Sequence, residues 1–335
     1  MSSQQEIVDA LRNPEAYDEE TRRVELCQTH ISFVFLVDEY VYKVKKAVNL
    51  GFLDFTTLDK RRFFCEKEVE VNRRLCPDMY LEVVPINKSK YIKMKGEGKT
   101  VEYAVKMKRL PQERIMTNLL NQGKVDRKLI DKIAKIVADF HRKAETSEKI
   151  NEFGSLKIVE FNWKENFDQT ADYIGKTISQ YDFKRIRTNI EEFISAKKAL
   201  IKKRVTDGRV RDCHGDMHSG NIFVTDKIYI FDAIEFNDRI RYSDVAADVA
   251  FLAMDLEFRK NADLSKFFVK KYIEYSGDEE LAKLIPFYKC YRAYVRGKVI
   301  GFRLKDPSIG AGEKEEAQKD ANAYFKLAAK YAKVL

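Results

Sequence analysis

The densest run of chemically useful side chains is Cys213-His214-Gly215-Asp216-Met217-His218-Ser219-Gly220-Asn221. A carboxylate, Asp216, precedes an amide, Asn221, by five residues, and a second carboxylate, Asp232, follows eleven residues after that. Magnesium prefers a few hard oxygen ligands completed by phosphate and water, so Asn221 and Asp232 are expected as its protein ligands. Phosphoryl transfer also needs a separate carboxylate to orient the attacking hydroxyl and take its proton, and Asp216 is expected there. The Asp-to-Asn interval equals that of the catalytic loop H-R-D-x-x-x-x-N. A rival reading makes His214, Asp216 and His218 a metal-hydrolase site. It is weaker, because the histidines lie on a loop and no H-E-x-x-H helix accompanies them. His214 is expected to hold the loop through its backbone. His218 is expected as a loop brace, with metal ligation or substrate contact as alternatives. His141 reads as a helix-end residue.

The flanking pattern supplies the elements that must position these groups. Residues 5–23 read as a polar helix or a pair of turns. His30–Val37 and Tyr40–Lys45 alternate around Asp38-Glu39 as a hairpin, with Val41, Lys43 and Lys45 on one face and Tyr42 and Val44 on the other. Residues 56–75 switch to helical spacing behind a Thr56 or Thr57 cap. Strands are expected at Tyr80–Ile86, Tyr91–Met94 and Val101–Met107. From about 112 the chain reads as helical, over 125–144, 162–203, 243–257, 264–275, 279–304 and 313–333. It is interrupted by a strand at Val210–Cys213 and a hairpin at Ile222–Val224 and Ile228–Phe231.

Composition bounds the rest. The chain has 335 residues with 62 basic and 53 acidic side chains, a net charge of +9. That size suits about two domains. The charge permits anionic partners such as nucleotides, and no nucleic acid or membrane partner is expected. Five scattered cysteines without a C-x-x-C suit a reducing cytoplasm better than a disulfide scaffold. No apolar run is long enough to span a bilayer, and the first residues do not read as a signal peptide. The oligomeric state is left open.

Lys289, Arg292, Arg296 and Arg303 fall on one face of a helix. They read either as a solvated cationic face or as a wall of the acceptor site. In the second case a polycationic acceptor would be repelled. Asp255 reads either as a substrate contact or as a solvated helix end.

His214-Gly215-Asp216-Met217-His218-Ser219-Gly220-Asn221, the apolar strand ending at Asp232, and Asp248-Val249-Ala250 together resemble the aminoglycoside phosphotransferase-like kinases, a branch of the protein-kinase-like fold. The resemblance implies an α+β, two-lobed protein-kinase-like fold with a small antiparallel β lobe and a larger, mainly helical lobe. The β-rich nucleotide-binding lobe would occupy 1–106, with a crossing at about 105–112. The helical lobe at 113–335 would carry the catalytic loop and the acceptor site. ATP and Mg2+ are the implied cofactors, and a small-molecule hydroxyl is the implied acceptor. Lys43 is the implied phosphate-holding lysine and Glu68 its partner. Lys45 and Glu66 are the runners-up, and both are expected to be solvated surface charges. Asp248 is expected to pin the catalytic loop from below. Adenine would bind backbone groups of the crossing, with Met107 as the anchor. Two departures from the wider kinase pattern stand out. The loop at 29–33 has no glycine, so its amides and the Ser32 hydroxyl are expected to serve the phosphates. Asp232 is followed by Ala233-Ile234-Glu235, which argues against an activation switch and leaves Glu235 as an extra metal or substrate contact. Family members act on aminoglycosides, choline, homoserine and modified sugars. A catalytically silent binding module and a protein kinase are the alternative functions.

Overall fold

The computed structural model describes residues 3–306 and 309–335. In chain order the elements are α1 (Gln4–Leu11), β1 (Val24–Gln28), β2 (Ser32–Val37), β3 (Tyr40–Lys45), α2 (Leu58–Arg73), β4 (Tyr80–Lys88), β5 (Ile92–Met94), β6 (Lys99–Lys108), α3 (Met116–Asn121), α4 (Arg127–Lys143), α5 (Glu148–Glu152), α6 (Leu156–Thr170), α7 (Gln180–Ala196), α8 (Lys198–Thr206), β7 (Val210–Asp212), β8 (Ile222–Val224), β9 (Ile228–Ile230), α9 (Asp238–Arg241), β10 (Tyr242–Asp244), α10 (Val245–Phe258), α11 (Ala262–Ser276), α12 (Ile285–Phe302) and α13 (Ala311–Ala332). The expected α+β content is present. Strand β1 was not expected, and the stretch 162–203, expected to hold at least one long helix, carries parts of three, with α7 whole within it.

The chain divides into two units. The first is Met1–Asn118 with Gly220–Asp238, and the second is Leu119–Ser219 with Arg239–Leu335. In the first unit a six-stranded antiparallel sheet runs in the order β1-β2-β3-β6-β4-β5. The β2–β3 hairpin turns at Asp38, whose φ of 42° is a left-handed conformation that aspartate tolerates. Strand alternation then sorts the faces. Phe35, Val37, Tyr42 and Val44 are buried with Ile7, Val8 and Leu11 of α1 on one side. Val105 and Met107 are buried with Cys65 and Val69 of α2 on the other. Helix α2 starts where expected, because the Thr57 hydroxyl accepts a hydrogen bond from the Lys60 N–H at 3.2 Å. Its buried face reads Arg61, Cys65, Glu68, Val69, Asn72, the i, i+4, i+7, i+8, i+11 spacing of one helical stripe. Three of these five are polar, so the stripe carries chemistry as well as packing.

Segment 220–238 was expected within the helical lobe, yet it belongs to the sheet-bearing unit. The reason is apolar: Phe223 and Tyr229 of the β8–β9 hairpin join the cluster formed by Cys65, Val69, Tyr80 and Met107. The Cys76 thiol also donates to the Ile230 carbonyl.

The second unit is built around α10, which is buried on all sides from Val245 through Leu256 and is apolar there apart from Asp248 and Asp255. Helices α11 and α12 pack on it, α4 packs on α11, and α13 runs along α12. The last two approach closely at Gly297, where a Cβ would lie 3.1 Å from the Phe325 ring and 3.2 Å from the Ala321 carbonyl. Asp244 caps α10, accepting from the Ala246 N–H, and is gripped by the buried Arg204 at 2.6 and 2.8 Å.

Candidate active site

Lys43 and Lys45 leave β3 on the same face, as their spacing predicts, and both meet Glu68 of α2. Lys43 Nζ is 2.8 Å from Glu68 Oε1 and 2.8 Å from Asp232 Oδ1. Lys45 Nζ is 2.6 Å from Glu68 Oε2 and also bonds Glu235. The expectation of a solvated Lys45 is therefore wrong. Its side chain is 1% exposed and lies over the Phe55 ring. Two lysines share one carboxylate because i and i+2 of a strand present side chains to the same side, and Glu68 of α2 stands against both. Glu66, in contrast, is exposed and pairs with Arg62, as expected of a surface charge. Burial opposes the charge on Lys43, but Asp232, Glu68 and Glu235 outweigh it and hold its pKa well above the ordinary lysine value. Burial likewise works against the Glu68 carboxylate, and the two lysines overcome it and keep the group ionised. Glu235 goes the other way, with desolvation raising its pKa despite Lys45. Glu235 is thus engaged in a buried ion pair rather than held open for a metal or substrate.

The β8–β9 register brings the two expected metal ligands to one end of a hairpin. Ile222 pairs with Ile230, and the Asn221 carbonyl accepts from the Phe231 N–H at 2.9 Å, next to Asp232. Asp232 adopts φ 63°, in the left-handed region. That strain is held from both sides. The Asp232 N–H donates to the Tyr80 hydroxyl, and the Ala233 N–H donates to Asn72 Oδ1 at 2.8 Å. Asn72 in turn donates to the Glu68 carbonyl. Tyr80 and Asn72 went unnoticed in the sequence, although Asn72 lies four residues after Glu68 on the same helical stripe. The Asp232 side chain is 44% exposed. One accessible carboxylate and one amide, with a lysine beside them, form a donor set that suits Mg2+ carrying a polyphosphate.

Two expected nucleotide contacts are corrected. Ser32 stands opposite Lys45 in the β2–β3 register and so shares the lysine face, but it is fully buried. Its hydroxyl has no hydrogen-bond partner among the described residues, and it does not line an open phosphate loop. Met107 lies within β6, paired to Val41 on one side and Tyr80 on the other, with its side chain in the apolar cluster. The next amides are also taken, Lys108 N–H by the Met79 carbonyl and Arg109 N–H by the Glu39 carbonyl. A central strand position has no spare backbone for adenine.

The expected catalytic loop up to Ser219 belongs to the second unit, and buried groups hold it there. Asp248 accepts from the His214 N–H at 2.7 Å and the Gly215 N–H at 2.9 Å. Gly215 has φ 87°, which places these successive amides on one carboxylate. His141 lies in the last turn of α4, the helix-end place expected of it. It is buried and contacts Asp248 Oδ2 at 3.3 Å and the Tyr272 hydroxyl at 2.9 Å, so it braces the brace. Burial works against the Asp248 charge, yet His141, His214 and Arg292 bring its pKa down to about 2. His214 Nδ1 accepts from the Asp216 N–H at 3.2 Å, the loop-holding role expected of it. His218 Nε2 lies 3.4 Å from Asp216 Oδ2. Burial pushes against the Asp216 charge, while His218 and then Arg296 hold its pKa below the ordinary carboxylate range.

The second unit also revises the basic stripe. Lys289 is buried against Glu257, and Arg292 is 4% exposed, donating to the Gly215 carbonyl at 2.9 Å and the Ala247 carbonyl at 3.1 Å. Arg292 therefore holds the catalytic loop rather than facing a substrate. Asp255 is neither a solvated end nor an open substrate contact. It is 3% exposed, accepts from the Ser219 N–H at 2.9 Å, and pairs with Arg259. Arg296 is half-buried beside Tyr324. The rival trio His214, Asp216 and His218 does not gather its ligand atoms. The only group of metal-ligand type that converges among the described residues is His141, Cys213 and Asp248, and burial keeps the Cys213 thiol protonated.

A model of the phosphotransferase enzyme family matches residues 73–284. An uncharacterized protein of Mycobacterium tuberculosis is 32% identical over 309 residues, covering 92% of this chain and 59% of its own length. A counterpart in Mycobacterium bovis matches to the same extent. The chain thus spans about three-fifths of the curated relatives it matches. Among solved structures, a choline/ethanolamine kinase family protein from Mesorhizobium loti is similar, with a TM-score of 0.55 and 9% identity over 99% of both chains. An ethanolamine kinase of Plasmodium vivax has a TM-score of 0.50 and 13% identity, covering 91% of this chain and 81% of its own. At these identities the likeness is one of fold, the protein-kinase-like one.

Proposed function

The chain belongs to the phosphotransferase enzyme family, and from that premise we propose that it transfers the γ-phosphoryl group of Mg2+-bound ATP to a hydroxyl of a small, sugar-like molecule, neutral or anionic. The observation that carries this reading is the buried Lys43–Glu68 pair reaching Asp232, with Asn221 at the same hairpin end. A fold needs no cationic cluster beside two hard-oxygen donors for stability alone, whereas a metal–triphosphate needs both.

Each side chain then has a task. Asn221 and Asp232 would hold Mg2+, which when bound would offset the charge of the triphosphate. Lys43 exchanges Asp232 for phosphate oxygens, and Glu68 keeps its ammonium aimed. Lys45 and Glu235 hold Glu68 and the segment following Asp232 in place. Asp216 accepts a hydrogen bond from the acceptor hydroxyl and takes its proton. Its depressed pKa keeps it ionised throughout the physiological range. Asp216 and Asn221 are five residues apart, a chain tether of at most about 18 Å. Catalysis is then mainly orientation and charge neutralisation.

No helix among the described residues is long and apolar enough to cross a membrane. All five cysteines are free thiols, which supports the proposal of a reducing, cytoplasmic setting.

The test is transfer from γ-labelled ATP to a panel of alcohols, sugars, sugar acids and sugar phosphates, with wild type beside Asp216→Asn. Transfer to a small molecule should fall about 10²- to 10⁴-fold in the variant while ATP still binds. Undiminished turnover would refute the role of Asp216. Label on polypeptide instead of small molecule would refute the acceptor class.

A further inference from the structure

The cations near the catalytic loop in the second unit are nearly all engaged. Lys289 bonds Glu257, Arg292 bonds two carbonyls, and Arg259 lies 3.2 Å from Asp255. Lys298 donates to Asn166 and Gln169 at 2.6 Å each. Arg303 is 3.9 Å from Glu313. Arg296 differs from all of these. It is half-buried and its side chain meets Tyr324, a neutral partner, with no carboxylate within ion-pair distance among the described residues. Partly buried charges are ordinarily paired, because desolvation without compensation is costly.

Its location is specific. Arg296 lies one helical turn beyond Arg292, which grips the carbonyl of Gly215, the residue before Asp216. The guanidinium carbon is 5.8 Å from the centre of the Tyr324 ring, which stacks on Phe258 at 3.8 Å. The close approach of α12 and α13 at Gly297 holds Tyr324 there. Asp216 and Asp255 are the acids whose fields it feels, Asp216 more strongly. The result is a cation held against an aromatic ring, one helical turn from the arginine that grips the carbonyl preceding Asp216.

Resting on the phosphotransferase reading above, we propose that Arg296 receives an anionic group of the acceptor, a carboxylate or a phosphate ester, and so sets the distance between that group and the hydroxyl presented to Asp216. A planar guanidinium suits either oxyanion, since both offer two coplanar oxygens. It would disfavour cationic acceptors at the same place. Arg296 is thus a specificity-determining residue, and the reaction would consume a hydroxy acid or a sugar phosphate.

The test uses one carbon skeleton in three charge states, ribitol, ribonate and ribitol 5-phosphate, with choline as the cationic comparison. ATP consumption is measured with wild type, Arg296→Gln and Arg296→Lys. Wild type is expected to favour ribonate or ribitol 5-phosphate over ribitol in kcat/KM, and whichever anion wins identifies the source of the charge. Arg296→Gln should cut that preference about 10- to 100-fold, mainly through KM, and Arg296→Lys should restore part of it. A merely structural Arg296 would lower all acceptors alike, and that result would overturn the proposal. So would a wild-type preference for ribitol or choline, with the phosphotransferase reading left standing. Turnover with none of the four would count against that reading as well as this one.

Discussion

Replacing Lys45 by methionine is the sharpest test of how the first unit is built. The substitution keeps the length of the side chain and removes its charge. Lys45 is 1% exposed, and its ammonium is shared between Glu68 and Glu235, both buried. Removing one member of a buried ion pair costs about 3–5 kcal/mol, because the remaining charge stays desolvated. Glu68 retains Lys43 at 2.8 Å, so its share of the loss is reduced and the cost falls mainly on Glu235. The expected destabilisation is therefore at the lower end, about 3 kcal/mol. Equilibrium urea unfolding of the full chain, followed by circular dichroism with the transitions fitted separately, measures it. The double variant Lys45→Met with Glu235→Met should recover most of the loss, since well-packed apolar replacements of a buried pair are often neutral or better. The cycle should thus return a coupling of about 2 kcal/mol. A Lys45→Met effect within about 0.5 kcal/mol, as for an exposed lysine, would refute the buried-pair argument.

Two further outcomes test other parts of the molecule. Asp232→Ala should weaken Mg2+-dependent ATP binding by at least about tenfold while leaving binding in EDTA nearly unchanged, and an unaltered Mg2+ titration by calorimetry would count against Asp232 as a ligand. Asp248 has a folded-state pKa depressed to about 2. Its contribution, roughly 2–3 kcal/mol, is therefore fully present above its unfolded value near 4 and lost as pH falls through about 2. Asp248→Asn should be less stable than wild type at pH 7 by that amount, and the gap should close on acidification. A gap independent of pH, read from urea midpoints, would refute the assignment.

Much of this was legible in one dimension. Hairpin alternation sorted Lys43 and Lys45 onto one face and Tyr42 and Val44 onto the other, because strand periodicity is a local property, and packing put the latter pair against α1. The spacing of Asp216, Asn221 and Asp232 suggested the chemistry proposed above, because backbone geometry limits what residues a few positions apart can do. The β8–β9 hairpin was readable from its two apolar triplets, and pairing them sets Asn221 beside Asp232 without further information.

What sequence could not decide was the state of each isolated charge. Lys45 and Glu66 look alike in the string. One is sealed beneath a helix with two carboxylates, and the other lies in water beside Arg62. His141, Asp255 and Arg292 likewise became loop braces only when helices from distant parts of the chain converged on residues 214–219. Arg296 and Arg292 share one helix face, yet Arg292 bonds the carbonyls of Gly215 and Ala247 while Arg296 rests on the Tyr324 ring. Periodicity says which side a residue faces. The long-range packing of α2 on the sheet, and of α10, α12 and α13 around the loop, determines the desolvation and the counter-charge it meets there, and these two quantities decide whether a charge is solvent-facing, structural or available for chemistry.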